Sequence, residues 1–316
     1  MSFFSPKELV EEGDLVILYL SVNSQYPLQV RKTIKNRNGQ WVENKFQSIY
    51  GILDVYSLVG KRYGEKIHLP KGWGYILRPS CELWTKNVPH RTQIIYTPDI
   101  SMIIMGLGLI PGSTVVEAGT GSGSLSHAII RAVHPTGHLY TFDFHEKRAD
   151  AARVEFKDHG LSDCVTVGHR DAVSDGFADV IPCKVDAVFL DLPIPWDVVP
   201  HVQKVLKRGG KLCTFSPCIE QVQKTVEALK ASEDFIQIKS MEVLQRPMSI
   251  QTKTLMSIDF NDESGCEPAE DGSTKKLAPV KKDANKFRTL CTTQTIQGHT
   301  GYLTFSTFVP AADKSS

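Results

Sequence analysis

The seven cysteines of this chain form no CxxC pair, and their number is odd. That argues against a disulfide framework or a zinc site and fits a reducing compartment. The ten histidines contain no HxH pair, so no metal is expected. Long apolar runs are also missing. The longest, ISMIIMGLGLI at 100–110, is too short to cross a bilayer and holds two glycines. The opening MSFFSPKELVEEGD lacks a basic stretch followed by an apolar one, which argues against secretion. No GxxxxGK[ST] occurs, so a P-loop nucleotide site is excluded. What remains is 316 residues of ordinary globular composition, enough for one large or two modest domains.

Charge is nearly balanced overall but unevenly spread. Residues 1–95 hold thirteen Lys and Arg against eight Asp and Glu, while the remainder is acidic. The basic positions gather in RKTIKNRNGQWVENK and around Lys61, Arg62, Lys66 and Lys71. Such a cluster suits either a solvated face or a phosphate-contacting one.

Residues 1–80 read as a small β domain of short strands and turns, with Asn38-Gly39 at a hairpin; a barrel-like closure is expected. Residues 81–112 read as a connecting segment with a helix over 98–107, Thr97 its N-cap and Pro98 its first position. From 113 to 258 strands and helices alternate, which predicts an α/β, Rossmann-like domain on a mostly parallel sheet of seven strands. Residues 259–297 break the pattern. Six acids over 259–271 precede six basic residues over 275–288, and a disordered insertion is expected. Residues 298–316 return with HTGYLTFSTFV, a final strand able to enter the sheet antiparallel.

The chemistry concentrates in VVEAGTGSGSLSHAII (115–130). A dinucleotide loop needs GxGxxG, and here the third position falls on Ser124 or Ser126. The pattern present is Glu117-x-Gly119-x-Gly121-x-Gly123. Glycines at alternate positions let a ligand without a pyrophosphate lie close to backbone, as S-adenosylmethionine does. Glu117 can hold the loop or meet the ligand's ammonium. Asp143 ends the next strand, where a carboxylate accepts ribose hydroxyls, and Asp171 follows the third strand near the adenine edge. The fourth strand ends in FLDLPIPW. Asp191 therefore sits at the carboxyl end of a central strand, where it can accept from the exocyclic amine of a flipped base. Pro193 and Pro195 stiffen the loop, and Trp196 either stacks or packs.

With both motifs in place, the chain resembles the family of catalytic subunits of eukaryotic tRNA (adenine-58-N1) methyltransferases, in the class I S-adenosylmethionine-dependent superfamily. The stretches that carry the resemblance are MSF with EEGD, ELWTKNVPHRTQIIYTPDIS, EAGTGSGSLSHAIIRAVHPTGHLYTFDFHEKRA, FLDLPIPW, FSPCIEQVQ and GHTGYLTFST. The resemblance implies cofactor contacts at Ile95, Ser122, Gly123, Ser124, Asp143, Arg148, Asp171 and Ala172, and a catalytic acid at Asp191. It implies S-adenosylmethionine as cofactor, tRNA as substrate, a heterotetramer with a non-catalytic paralogous subunit, and a nuclear location. The family often has Glu where Asp143 stands, a change that keeps the carboxylate. His90, Arg91 and Gln93 are candidates for positioning the target nucleoside, or for pinning a domain junction; His299 faces the site or caps the last strand. Other readings are an NAD oxidoreductase, which the glycine register disfavours, and another methyltransferase acting on adenine N6 or protein isoaspartate. The last is a non-catalytic RNA-binding paralogue, which the intact loop and FLDLP argue against.

Overall fold

The computed structural model describes residues 3, 7–36, 38–89, 91–255, 285–292 and 300–310. They fall into two units, Met1–Val243 with Thr300–Ser316, and Leu244–His299. His90, His299 and most of the expected insertion lie outside the described residues.

The first unit begins with eight strands, β1 (Leu15–Ser21), β2 (Ser24–Gln29), β3 (Thr33–Lys35), β4 (Trp41–Glu43), β5 (Lys45–Ser48), β6 (Gly51–Asp54), β7 (Lys66–Leu69) and β8 (Gly72–Leu77). β1 alternates, sending Val16, Leu18 and Leu20 into a small core with Leu28, Leu53, Leu58, Ile67 and Ile76. The expected barrel is not what forms. β2-β1-β8-β7 make an open antiparallel sheet, and β3-β4 and β5-β6 are separate hairpins. The short turns close neighbouring strands and leave no strand to bridge the ends of the sheet.

Two helices follow, α1 (Cys81–Asn87) and α2 (Thr97–Leu107). Sequence periodicity missed α1, which is only two turns long and capped by Ser80 accepting from the Leu83 N–H. α2 starts one residue earlier than expected. Tyr96 stands at its N-cap without a side-chain bond, and Thr97 is already helical.

The remainder alternates: β9 (Thr114–Ala118), α3 (Ser124–Val133), β10 (His138–Asp143), α4 (Glu146–Asp158), β11 (Val165–His169), β12 (Val185–Asp191), α5 (Val199–Val205), β13 (Leu206–Ser216), α6 (Ile219–Ala231) and β14 (Phe235–Glu242). β15 (Met248–Leu255) and β16 (Asn285–Thr292) come next, then β17 (Tyr302–Phe308). The large sheet has the order β11-β10-β9-β12-β13-β17-β14. It is mixed rather than mostly parallel, because β17 runs antiparallel to both β13 and β14. β9 and β12 lie at its centre and are covered on both faces, so nearly every residue of each is buried rather than every second one. The chain steps outward from β9 through β10 to β11, then returns to the other side of β9 with β12. That reversal opens a crevice at the carboxyl ends of β9 and β12.

In the second unit β15 and β16 pair antiparallel over their whole length, from Met248 against Thr292 to Leu255 against Asn285. Residues 285–292, expected within a disordered insertion, are therefore a strand. KFRTLCT carries the β-branched and aromatic residues of one, which the flanking charge runs obscured.

Candidate active site

β9 delivers Glu117 and then the loop 119–123, which ends at α3. Each loop glycine has positive φ, +102° at Gly119, +54° at Gly121 and +76° at Gly123. Packing within the protein adds a reason beyond the ligand approach inferred from sequence. A Cβ on Gly119 would sit 2.3 Å from the Asp191 carbonyl oxygen, and one on Gly121 would sit 2.7 Å from Thr92 Oγ1. Gly119 and Gly121 are required by the protein's own walls, the end of β12 and the segment before α2 respectively, whereas Gly123 is required by its positive φ alone.

Glu117 is 1% exposed. Its Oε2 accepts from Ser126 Oγ at 2.6 Å and Thr141 Oγ1 at 2.7 Å, so the acid ties β9 to α3 and β10. Burial pushes its carboxyl up to about 7, with the nearby Asp191 and Asp143 charges adding to the rise. No cation balances it within the protein's described residues. Asp143 ends β10 as expected. Its Oδ2 accepts the Gly121 N–H at 3.0 Å, and its Oδ1 takes the His145 N–H and both Nε and a terminal nitrogen of Arg148 at 2.9 Å. Arg148 thus orients Asp143, and it also lines both cavities of the crevice. These four donors match the about four acceptor sites of a carboxylate, so a ribose hydroxyl would take the place of one Arg148 bond.

Ser122 and Ser124 have their hydroxyls turned to protein. Ser122 Oγ accepts the N–H groups of Arg91 at 3.0 Å and Thr92 at 3.2 Å. Ser124 Oγ donates to the Ile95 carbonyl at 3.0 Å and meets Thr85 Oγ1 at 2.9 Å. Arg91 donates to the Ser122 carbonyl at 3.1 Å and pairs with Glu155 of α4 at 3.0 Å. Of its two sequence readings, the structure assigns Arg91 the pinning one. Gln93 is exposed and lines the crevice. Below the loop, His127 Nδ1 bonds the Gly123 carbonyl at 2.6 Å and its Nε2 meets His159 Nδ1 at 2.9 Å. Burial holds both imidazoles neutral, at about 4 and about 3. With Glu155 they bring three ligand-type atoms within 4.8 Å of one another, a grouping invisible in the linear spacing. The hydrogen bonds just given already occupy both His127 nitrogens.

Replacing Arg91 by Ala should strand the Glu155 carboxylate and loosen the segment 91–95. We expect a loss of about 1–3 kcal/mol, discounted from a fully buried pair because both side chains keep some solvent. Thermal unfolding of Arg91→Ala and of Arg91→Ala with Glu155→Gln checks this. A double variant no more stable than the single one would remove the stranded charge as the cause.

Two adjoining cavities occupy the crevice. One of about 410 Å³ is lined by Phe144, Asp171, Ala172 and Val173 together with Asp143 and Arg148. Asp171 caps its own turn, accepting from the Val173 N–H and Ser174 Oγ, both at 2.9 Å. The Ser174 bond and that backbone bond hold its carboxyl below the ordinary value. The other cavity, about 530 Å³, is lined by Gln93, Ile95, Pro193, Phe215, Pro217, Gln221 and Thr300. Gly119, Asp143, Arg148, Asp191, Leu192 and Pro193 are common to both. Phe215, Gln221 and Thr300 were missed in sequence, although the first lies at the end of β13, where open α/β sheets bind ligands. Gln221 Nε2 donates to the Pro193 carbonyl at 2.9 Å and so fixes the loop after Asp191. Trp196 lies under Lys224 at 4.8 Å and packs away from both cavities.

Asp191 sits at the junction. Burial alone pushes its carboxyl up to about 6, and among the described residues no side-chain hydrogen bond reaches it. A half-buried acid with no internal partner at a strand end is poised to accept from a ligand.

Residues 72–308 match a family described as the tRNA methyltransferase complex GCD14 subunit. The chain belongs to this family. The "tRNA (adenine(58)-N(1))-methyltransferase catalytic subunit TRM61" of Candida albicans is 37% identical over 345 residues, covering 98% of this chain and 99% of that protein. The catalytic subunit trmt61a of Dictyostelium discoideum is 38% identical over 327 residues, with the same two coverages. A solved structure of an S-adenosylmethionine-dependent O-methyltransferase from Thermotoga maritima superposes with a TM-score of 0.73 at 28% identity, covering 97% of each chain. The GCD14 match spans β8 to β17, and so takes in the glycine loop, Asp143 and Asp191.

Proposed function

We propose that this chain is the catalytic subunit of a tRNA (adenine-58-N1) methyltransferase. The carrying observation is Asp191, an uncompensated carboxylate at the junction of the two cavities. S-adenosylmethionine, when bound, supplies a methyl group from a sulfonium whose sulfur keeps the bonding pair. Glu117 faces the loop, lining a small space with Gly119, Gly121 and Asp191, and suits the ligand's ammonium. Asp143 suits the ribose, and Phe144, Asp171 and Ala172 line the space for the adenine. The second cavity receives the target adenine. Asp191 accepts a hydrogen bond from its exocyclic amine, which raises electron density at ring N1 and stabilises the positive charge left on the methylated ring. Gln93 and Phe215 border that base. The walls hold the two reactants in line, and alignment supplies most of the rate.

The proposal includes assembly with a non-catalytic paralogous subunit as a heterotetramer, RNA contact by both subunits, and a nuclear location. The long shared stretches support these, and KKLAPVKK at 275–282 is a basic cluster of the kind that import reads. The deciding experiment is co-expression with the paralogue, incubation with unmodified tRNA, and mapping of the product by mass spectrometry. 1-methyladenosine at position 58 is expected. N6-methyladenosine, or methylated protein isoaspartate alone, would favour the other readings.

Glu117 yields a second test. With its folded value near 7 against an ordinary 4.5, the protonated form is favoured by folding. That stabilisation is present below about pH 4.5 and is lost as pH rises through 7, on the order of 3 kcal/mol. Glu117→Gln should therefore raise the melting temperature of the ligand-free protein at pH 8. It should also weaken S-adenosylmethionine at least tenfold, and wild-type affinity should rise with pH through 7. Calorimetry across pH 6–8 checks both; undiminished affinity in the variant would remove Glu117 from the ligand site.

A further inference from the structure

The open β2-β1-β8-β7 sheet has two faces, and only one is spent on the small core. The strand registers put Leu15, Ile17 and Tyr19 of β1 on the other face. Leu77, Tyr75 and Trp73 of β8 and Lys66 and His68 of β7 join them. One end of this face is covered. Leu15 packs with Trp84, Val88 and Ile94, and Ile94 lines the larger cavity. The far end is open. Trp73 is 46% exposed, Lys66 and His68 are exposed, and Tyr19 and Tyr75 are half-buried.

The open end has a defined arrangement. Trp73 and Tyr75 meet edge to face, with ring centroids 5.5 Å apart and planes at 78°. Lys66 Nζ lies over the indole at 4.2 Å from its centroid. Lys71, in the β7–β8 turn, is also exposed. The surrounding cations are neutralised, Lys61 by Glu65 and Arg62 by Glu8. Among the described residues, Lys66 and Lys71 have no ion-pair partner. An aromatic plane flanked by two unpaired ammonium groups, in the basic first third of the chain, is complementary to a base and its phosphates.

We propose that the outer end of this face is a stacking platform for an unpaired nucleotide of the substrate RNA. The base lies on the Trp73 indole, displacing Lys66 from the ring, and Lys66 and Lys71 take the flanking phosphates. Base stacking on an aromatic ring outweighs an exposed cation–π contact, and the displaced ammonium gains a phosphate, so the exchange is favourable. From the level of Leu15 to Trp73 is six residues, about 20 Å along the strands, a span of a few nucleotides, so one RNA can reach from the platform toward the cavity. The identity of the RNA rests on the function proposed above.

The test uses the full chain in complex with its partner subunit. Trp73→Ala should raise KM for tRNA about tenfold with the loss confined to KM, while S-adenosylmethionine affinity stays at wild type. Trp73→Phe should retain most of the affinity. Lys66→Gln should lower the slope of log affinity against log salt by about one. Unchanged tRNA affinity in a folded Trp73→Ala complex overturns the proposal, and so does loss of the partner subunit on purification, which would make the face a protein interface. If Trp73→Ala does not fold, Lys66→Gln with Lys71→Gln decides by the same affinity and salt slope. If the wild-type complex methylates no tRNA, the functional reading fails by itself. Filter binding of tRNA to the wild-type and Trp73→Ala complexes still decides the platform, weaker binding supporting it and equal binding overturning it.

Discussion

Asp191→Ala is expected to lower kcat about a hundred- to a thousandfold while S-adenosylmethionine binds nearly as before. The size follows from removing a pre-positioned group that stabilises charge formed only in the transition state. Cofactor affinity persists because Glu117, Asp143 and the loop remain, and the Asp191 side chain holds no protein hydrogen bond whose loss would shift them. Its carboxyl, raised to about 6 by burial, is neutral below that pH and charged above it. Wild-type kcat/KM should thus rise from pH 5 to 7. Asp191→Asn keeps an acceptor but not the charge, so it should fall between the other two and lose this limb. Single-turnover methylation of tRNA by the complex, measured from pH 5 to 8, is the check. Full activity in Asp191→Ala, or an unchanged limb in Asp191→Asn, would overturn the role.

The second large effect is expected from Gly119→Ala. The new Cβ would lie 2.3 Å from the Asp191 carbonyl oxygen and 3.2 Å from its carbonyl carbon. These are backbone atoms of a central strand, so relief requires parting the ends of β9 and β12. Positive φ adds its own cost. Together the two should destabilise by about 2–5 kcal/mol. Activity and S-adenosylmethionine binding should disappear, because the same displacement moves the Asp191 carboxylate away from the loop. Gly209→Ala is the control. It has φ of +80° but nothing within 4 Å of the added carbon, so only the conformational cost of about 1 kcal/mol applies and activity should survive. Thermal unfolding and cofactor titration of both variants test this. Equal losses would mean that φ, rather than the closeness of β12, makes Gly119 necessary.

The glycine example marks how far sequence reading reached. Spacing alone located the loop between strand and helix and put Asp143 and Asp191 at strand ends, because these relations are local or follow from strand order. It marked the glycines but not the protein walls beside them. Asp191, which walls Gly119, and Thr92, which walls Gly121, lie 72 and 29 residues away along the chain. Arg91 shows the same limit. Nothing local distinguishes a guanidinium aimed at RNA from one bound to Ser122 and Glu155, 31 and 64 residues on. The His127–His159 pair under the loop likewise joins residues 32 apart.

By itself the sequence determined the alternating α/β order, the adenosine-type loop and the acid that ends β12. All three are written in periodicity and in glycine and carboxylate positions, which act through neighbouring backbone. The tertiary structure alone decided that the N-terminal strands stay an open sheet, that β17 enters between β13 and β14, and that 285–292 pairs with 248–255. It alone showed that the Ser122 and Ser124 hydroxyls bond to protein, and it selected the pinning reading of Arg91. Each of these depends on which distant groups burial brings together, and burial couples residues by packing rather than by spacing.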